Sequence, residues 1–176
     1  IDHAILEKIL RSYISDEKIL WLLAEVISSF SAGRKGVGLP LGNLTSQLLV
    51  NIYMNEFDQF VKHKLRVKYY IRYADDFVIL SPDLLWLEKQ IPLIKNFLWD
   101  KLKLILHTQK IFIKTFASGV DFLGWVNFPD HRILRTATKK RMIRRLKVMK
   151  NDATRVSYLG LLSHGNTYKL KAEFLF

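Results

Sequence analysis

Cysteine is absent from the 176 residues. Disulfides and thiolate metal sites are excluded with it, and a reducing cytoplasm is the expected compartment. The five histidines, His3, His63, His107, His131 and His164, are scattered with no paired spacing, so none is expected to ligate a metal. There is no basic-then-apolar leader and no apolar run long enough to span a bilayer. Repeats and low-complexity segments are missing too. Acidic side chains are few, 16 against 28 Lys and Arg, which leaves a net charge of +12.

What is present is enough apolar material for a core. The chain is 49% hydrophobic and 12% aromatic, which excludes disorder over most of its length. The positive charge is uneven. Residues 127–176 hold 12 Lys/Arg against 3 Asp/Glu, while residues 1–126 hold 16 against 13. Such asymmetry points to a polyanion, nucleic acid first and an anionic membrane second. The membrane reading is the weaker, because the basic helical segment has Met and Ile inward and no Trp or Phe on that stripe.

Periodicity orders the chain. Asp2 is placed to cap a helix over 2–13, with Ile5, Leu6, Ile9, Leu10 and Tyr13 on one stripe. Asp16 caps a second, with Ile19, Leu20, Leu22, Leu23, Val26, Ile27 and Phe30 expected inward. Residues 31–38 form a glycine-rich loop, expected at the tip of a hairpin. A long helix runs from about Thr45 to Lys64. A hairpin follows at about 67–80, and Ser81-Pro82 opens a helix striped by Leu84, Leu87, Ile91, Ile94 and Leu98. Leu104–Lys114 reads as one or two short strands, and Val120–Phe128 as a strand pair around Gly124. Thr138–Lys150 is a basic helix with Met142, Ile143, Leu146 and Met149 inward, followed by helical segments at Ser157–Leu162 and Thr167–Phe174. Composition shifts near 127–137.

Chemistry concentrates in Tyr69-Tyr70-Ile71-Arg72-Tyr73-Ala74-Asp75-Asp76-Phe77-Val78-Ile79-Leu80. Two β-prone runs flank an acidic break, and the tip lacks the Asn-Gly or Asp-Gly of a relaxed hairpin. Adjacent carboxylates repel, a cost that a cation offsets. Hard oxygen ligands of this kind suit Mg²⁺, which takes one or two carboxylates plus substrate phosphates. Gly38-Leu39-Pro40-Leu41-Gly42-Asn43-Leu44-Thr45-Ser46-Gln47 is the second signal. Its glycines allow close backbone approach, Pro40 stiffens the turn, and the helix start offers free N–H groups to an anion.

The order Tyr-Ala-Asp-Asp between hydrophobic strands resembles the catalytic hairpin of reverse transcriptases. Three further segments resemble that family's motifs in order: Gly38–Gln47 before the hairpin, then Leu106-His107-Thr108-Gln109-Lys110 and Phe122-Leu123-Gly124-Trp125 after it. Ile1-Asp2-His3 looks like the end of the first palm motif. Many bacterial members, group II intron enzymes included, carry Pro-Gln-Gly followed by Ser-Pro. Pro40-Leu41-Gly42 and Ser46-Gln47 resemble instead the enzymes of diversity-generating retroelements. So do Phe122–Trp125 with His131-Arg132, Ser157–Gly160, and Asn166–Leu170.

The resemblance implies an α+β fold: an antiparallel palm sheet with helices on one face, followed by a small helical basic thumb. Residues 1–128 would be partial fingers and palm, and 129–176 the thumb-like region. The rest of the fingers and the first palm strand, with its catalytic aspartate, would lie upstream of Ile1, leaving the fragment alone inactive. The implied activity is RNA-directed DNA synthesis with two Mg²⁺ ions, copying template RNA from a primer into cDNA with dNTPs. Asp75 and Asp76 are implied as metal ligands. Lys110 is implied near the leaving pyrophosphate. Tyr73, Pro40, Gly42, Asn43, Ser46 and Gln47 would line the nucleotide and template. Phe122, Leu123, Gly124 and Trp125 would hold the primer, and Lys139, Lys140, Arg141, Arg144, Arg145 and Lys147 would track the nucleic-acid backbone. A basic accessory protein of the retroelement is an implied partner, and a membrane is not. The rival reading is a nucleic-acid-binding module without catalysis, against which the intact Asp75-Asp76 pair argues.

Overall fold

The computed structural model describes residues 1–40, 43–148 and 151–175. It divides into two compact units, Ile1–Ile111 and Phe112–Phe176, a division upstream of the composition shift.

The first unit begins with two helices capped by aspartates. In α1 (His3–Tyr13) the Asp2 carboxylate accepts from the Ile5 amide, and in α2 (Glu17–Ser28) Asp16 accepts from the Lys18 and Ile19 amides. Each cap satisfies amides that the first turn leaves without partners. Residues 31–38 make a tight turn, with the Ala32 amide bonded to the Val37 carbonyl, and Val37 bridges Asp2. No two-stranded hairpin forms there. Next, α3 (Leu44–Gln59) widens into a π-helical turn at Phe60–Lys64. The antiparallel pair β1 (Tyr69–Tyr73) and β2 (Asp76–Leu80) follows, then α4 (Leu84–Leu102).

Leu6, Ile9, Leu10, Leu20, Ile27, Leu49, Tyr53, Met54, Phe57, Ile94, Leu98 and Leu102 form the core of this unit. Phe57 is its centre, edge-on to Phe77 at 4.9 Å and to Tyr70 at 6.1 Å. Burying a side chain of that size contributes about 2–3 kcal/mol. The sheet thus lies on the helices by one face only, through Tyr70, Phe77 and Ile79.

Several expectations are corrected here. Of the α2 stripe only Leu20 and Ile27 are buried, whereas Ile19, Leu22, Val26 and Phe30 are exposed. The helix after the hairpin is capped by Asp83, whose carboxylate accepts from the Trp86 amide, and not by Ser81. Leu84 is exposed. Leu104–Lys114 contains no strand; it is irregular apart from a 3₁₀ turn at Thr108–Lys110.

The second unit holds a three-stranded antiparallel sheet, β3 (Val120–Phe122), β4 (Trp125–Asn127) and β5 (Arg132–Leu134), in that spatial order. Helices α5 (Thr136–Val148), α6 (Asp152–Leu162) and α7 (Tyr168–Leu175) follow. Trp125, Leu134, Met142 and Leu162 form its core, flanked by Ile143 and Leu146. Met149 lies outside the described residues.

Candidate active site

Tyr73 pairs with Asp76, so the β1–β2 hairpin turns on two residues, Ala74 and Asp75. Ala74 adopts φ 52°. A side chain in this left-handed region costs about 1–2 kcal/mol, and glycine would relieve it. Asp75 and Asp76 are both exposed at this tip. Tyr69, Ile71 and Tyr73 point to the open face of the sheet, while Tyr70 and Arg72 point toward α3.

Arg72 is the residue that sequence reasoning passed over. Its Nε and Nη2 donate to the two carboxylate oxygens of Asp58 at 2.7 and 2.6 Å. Its Nη1 donates to the Ala74 carbonyl at 2.7 Å and to Asn51 Oδ1 at 3.2 Å. Tyr70 donates its hydroxyl proton to the same Asp58 at 2.6 Å. Asn51 and Asp58 lie seven residues apart, two turns of helix, and so on one face of α3. The Asp58 hydrogen bonds raise the guanidinium pKa further above its ordinary value. Burial, and then the hydrogen bond to Asp58, raise that of the Tyr70 phenol. A signal was available: an arginine on the inward face of an apolar strand needs an acid on the helix it meets.

The glycine loop is anchored at its entry. The His3 amide donates to Gly36 O at 3.0 Å, the Gly38 amide to Ile1 O at 2.8 Å, and His3 Nε2 lies 2.7 Å from Gly38 O. Gly38 has φ 115°, and a β-carbon there would sit 2.8 Å from that of Ala32. Pro40 is half-buried. Gly42 lies outside the described residues. Asn43 holds the N-cap position of α3 without a side-chain cap bond. Ser46 is buried and its hydroxyl has no partner among the described residues, while Gln47 is exposed. Lys110 is exposed at the end of its 3₁₀ turn, not on a strand.

In the second unit Phe122 pairs with Trp125 across a two-residue loop, Leu123 at φ 53° and Gly124 at φ 84°. Leu123 is exposed. Trp125 is buried in the core, with the Arg132 guanidinium over its ring at 5.4 Å. Arg135 forms an ion pair with Asp121 beside this hairpin. Along α5, Met142 faces the core. Lys140, Arg141, Arg144, Arg145 and Lys147 are exposed, and Lys139 is half-buried. The structure therefore brings Asp75, Asp76 and Tyr73 together at one tip and gathers the six cations on one helix.

A family model described as reverse transcriptase (RNA-dependent DNA polymerase) matches residues 1–161. The chain belongs to the reverse transcriptase family. It is 25% identical to the group II intron-encoded protein LtrA of Lactococcus lactis subsp. cremoris, over 80% of this chain and 34% of that protein. It is 27% identical to protein YkfC of Escherichia coli strain K12, over 88% of this chain and 49% of that protein. The chain thus spans between a third and a half of the length of these curated relatives.

Reverse transcriptases as a family use divalent metal ions. Asp75 and Asp76 fit a hard dication in donor chemistry, as exposed carboxylate oxygens. Among the described residues no group of three or more His, Asp or Glu could hold a metal ion. No described helix is long and apolar enough to cross a membrane.

Proposed function

We propose that this chain carries the nucleotidyl-transfer centre of an RNA-directed DNA polymerase of the diversity-generating retroelement type. The observation that carries the reading is the Ala74–Asp75 loop, where two carboxylates are exposed at a hairpin tip held in a costly conformation.

In the reaction the primer 3′-hydroxyl attacks the α-phosphorus of a dNTP. A new P–O bond forms between the 3′-oxygen and the α-phosphorus, the α–β P–O bond breaks to release pyrophosphate, and the hydroxyl proton passes to solvent water. Asp75 and Asp76 would hold Mg²⁺, Asp75 as the more direct ligand, and the ion would supply charge neutralisation for the displacement. Lys110 offers a point charge or a proton to the departing pyrophosphate. Tyr73 and the Pro40–Gln47 segment line the nucleotide and template. Phe122–Trp125 support the primer end, and the α5 cations neutralise backbone phosphates. A basic accessory protein completes the assembly.

Two carboxylates are fewer than a pair of dications calls for. Residues 1–176 on their own are therefore expected to bind Mg²⁺ weakly and leave a primer unextended. The test is Mg²⁺-dependent primer extension on an RNA template by the full-length protein and its Asp75→Asn variant. Loss of turnover with an unchanged circular dichroism spectrum supports the assignment. Extension at the parental rate by Asp75→Asn overturns it. RNA binding with no turnover in the parent favours a non-catalytic binding module instead.

A further inference from the structure

We propose that Arg72 is a positioning residue for the Ala74–Asp75 turn: clamped by Asp58, its guanidinium holds the Ala74 carbonyl and fixes the orientation from which the Asp75 side chain departs. The functional consequence rests on the reading of Asp75 as a metal ligand; the clamp itself does not.

The geometry leaves the arginine one way to lie. A guanidinium is a planar fork with five donor hydrogens. Two of its nitrogens face the two oxygens of Asp58 at 2.7 and 2.6 Å, which sets the plane. The remaining nitrogen, Nη1, is then delivered to Ala74 O at 2.7 Å, with Asn51 Oδ1 at 3.2 Å as its second acceptor. Asp58 is itself held from another side by the Tyr70 hydroxyl at 2.6 Å. Asn51 and Asp58 both belong to α3.

The bonded carbonyl belongs to the strained residue. Ala74 has φ 52°, and its carbonyl is part of the peptide that leads into Asp75. An unrestrained alanine would leave this region for negative φ, turning that peptide and moving the Asp75 α–β bond with it. A charge-assisted bond to the carbonyl opposes the turn. Groups that orient a metal ligand without touching the metal ordinarily change metal affinity by 10- to 100-fold when removed.

Lysine keeps the charge of Arg72 but lacks the fork, so Arg72→Lys separates positioning from net charge. Glycine tolerates positive φ, so Ala74→Gly should repair a lost clamp but not a lost ion pair. In the full-length protein, Arg72→Lys is expected to raise the Mg²⁺ concentration for half-maximal primer extension roughly tenfold. The affinity for primed template should stay as in the parent. The double variant Arg72→Lys/Ala74→Gly should return to within about twofold of the parent.

A second readout needs no turnover. In the 176-residue chain the ¹³C shifts and the amide–α-proton coupling of Ala74 report the sign of φ, and Arg72→Lys should populate negative φ. If Ala74 keeps its positive φ in Arg72→Lys, or if Ala74→Gly restores nothing, the positioning role is wrong. Should the parent protein show no Mg²⁺-dependent extension, the proposed function falls, and the Ala74 resonances decide the clamp by themselves.

Discussion

Tyr53 donates its hydroxyl proton to the carbonyl oxygen of Leu102 at 2.6 Å, at the last residue of α4. A helix end leaves carbonyls without intrahelical partners, and this one is satisfied by a fully buried side chain of α3. Tyr53→Phe removes the donor and leaves the acceptor buried. The variant should lose about 1–3 kcal/mol of unfolding free energy, read from its urea midpoint.

The same phenol makes stability pH-dependent. Burial pushes the Tyr53 pKa up from 10.0 to about 12. The folded state therefore holds the proton more tightly than the unfolded chain does. The resulting stabilisation is fully present below pH 10 and is lost as pH rises through about 12. Urea midpoints measured across this range should fall less steeply for Tyr53→Phe than for the parent. Equal slopes would place the alkaline transition elsewhere.

Gly165 lies against the indole of Trp125, and a β-carbon there would overlap the ring. Gly165→Ala must displace either the Trp125 ring or the backbone after α6. Overpacking of this kind costs about 1–3 kcal/mol. The near-ultraviolet circular dichroism of the second unit should change along with its unfolding midpoint. An unchanged spectrum would mean that the ring moves freely.

Charge reversal at Arg141, Arg144 and Arg145 together should weaken RNA binding and flatten its dependence on salt, because fewer counterions are released. The matching control is sequence: affinity should drop by the same factor for unrelated RNAs. A salt slope equal to the parent's would move the binding surface away from α5.

The subfamily reading has its own readout. The resemblance to diversity-generating enzymes implies copying with errors directed at adenines, so cDNA made by the full-length protein on a template of mixed composition should carry errors concentrated opposite adenines. Errors spread evenly over the four template bases would remove the diversity-generating assignment and leave the polymerase assignment standing.

Local signals were legible in the sequence where short-range chemistry decides the structure. The aspartate caps at Asp2 and Asp16 and the hairpins around Ala74 and Gly124 could all be read from neighbouring residues. Signals that depend on distant partners were not. Ile19, Leu22 and Val26 share a stripe with Leu20 and Ile27, yet only the latter two are buried, because the neighbours of α2 cover one side of it. Leu104–Lys114 has the alternation of a strand but pairs with nothing, and pairing is what makes a strand. Arg72 stood in plain view within the acidic hairpin. Its role depended on Asp58, fourteen residues earlier and on a different kind of element.

The outward face of β1 has a practical consequence for anyone handling this chain. Tyr69, Ile71 and Tyr73 stand 52, 61 and 63% exposed on a ribbon of two strands, with no third strand beside them among the described residues. Apolar, unpaired ribbons invite edge-to-edge association between copies. Purified residues 1–176 should therefore sediment as a concentration-dependent mixture, and an Ile71→Lys substitution should shift that mixture toward monomer. Titrations of nucleic acid would then need to be run at the dilute end, before self-association competes with the ligand for the same protein.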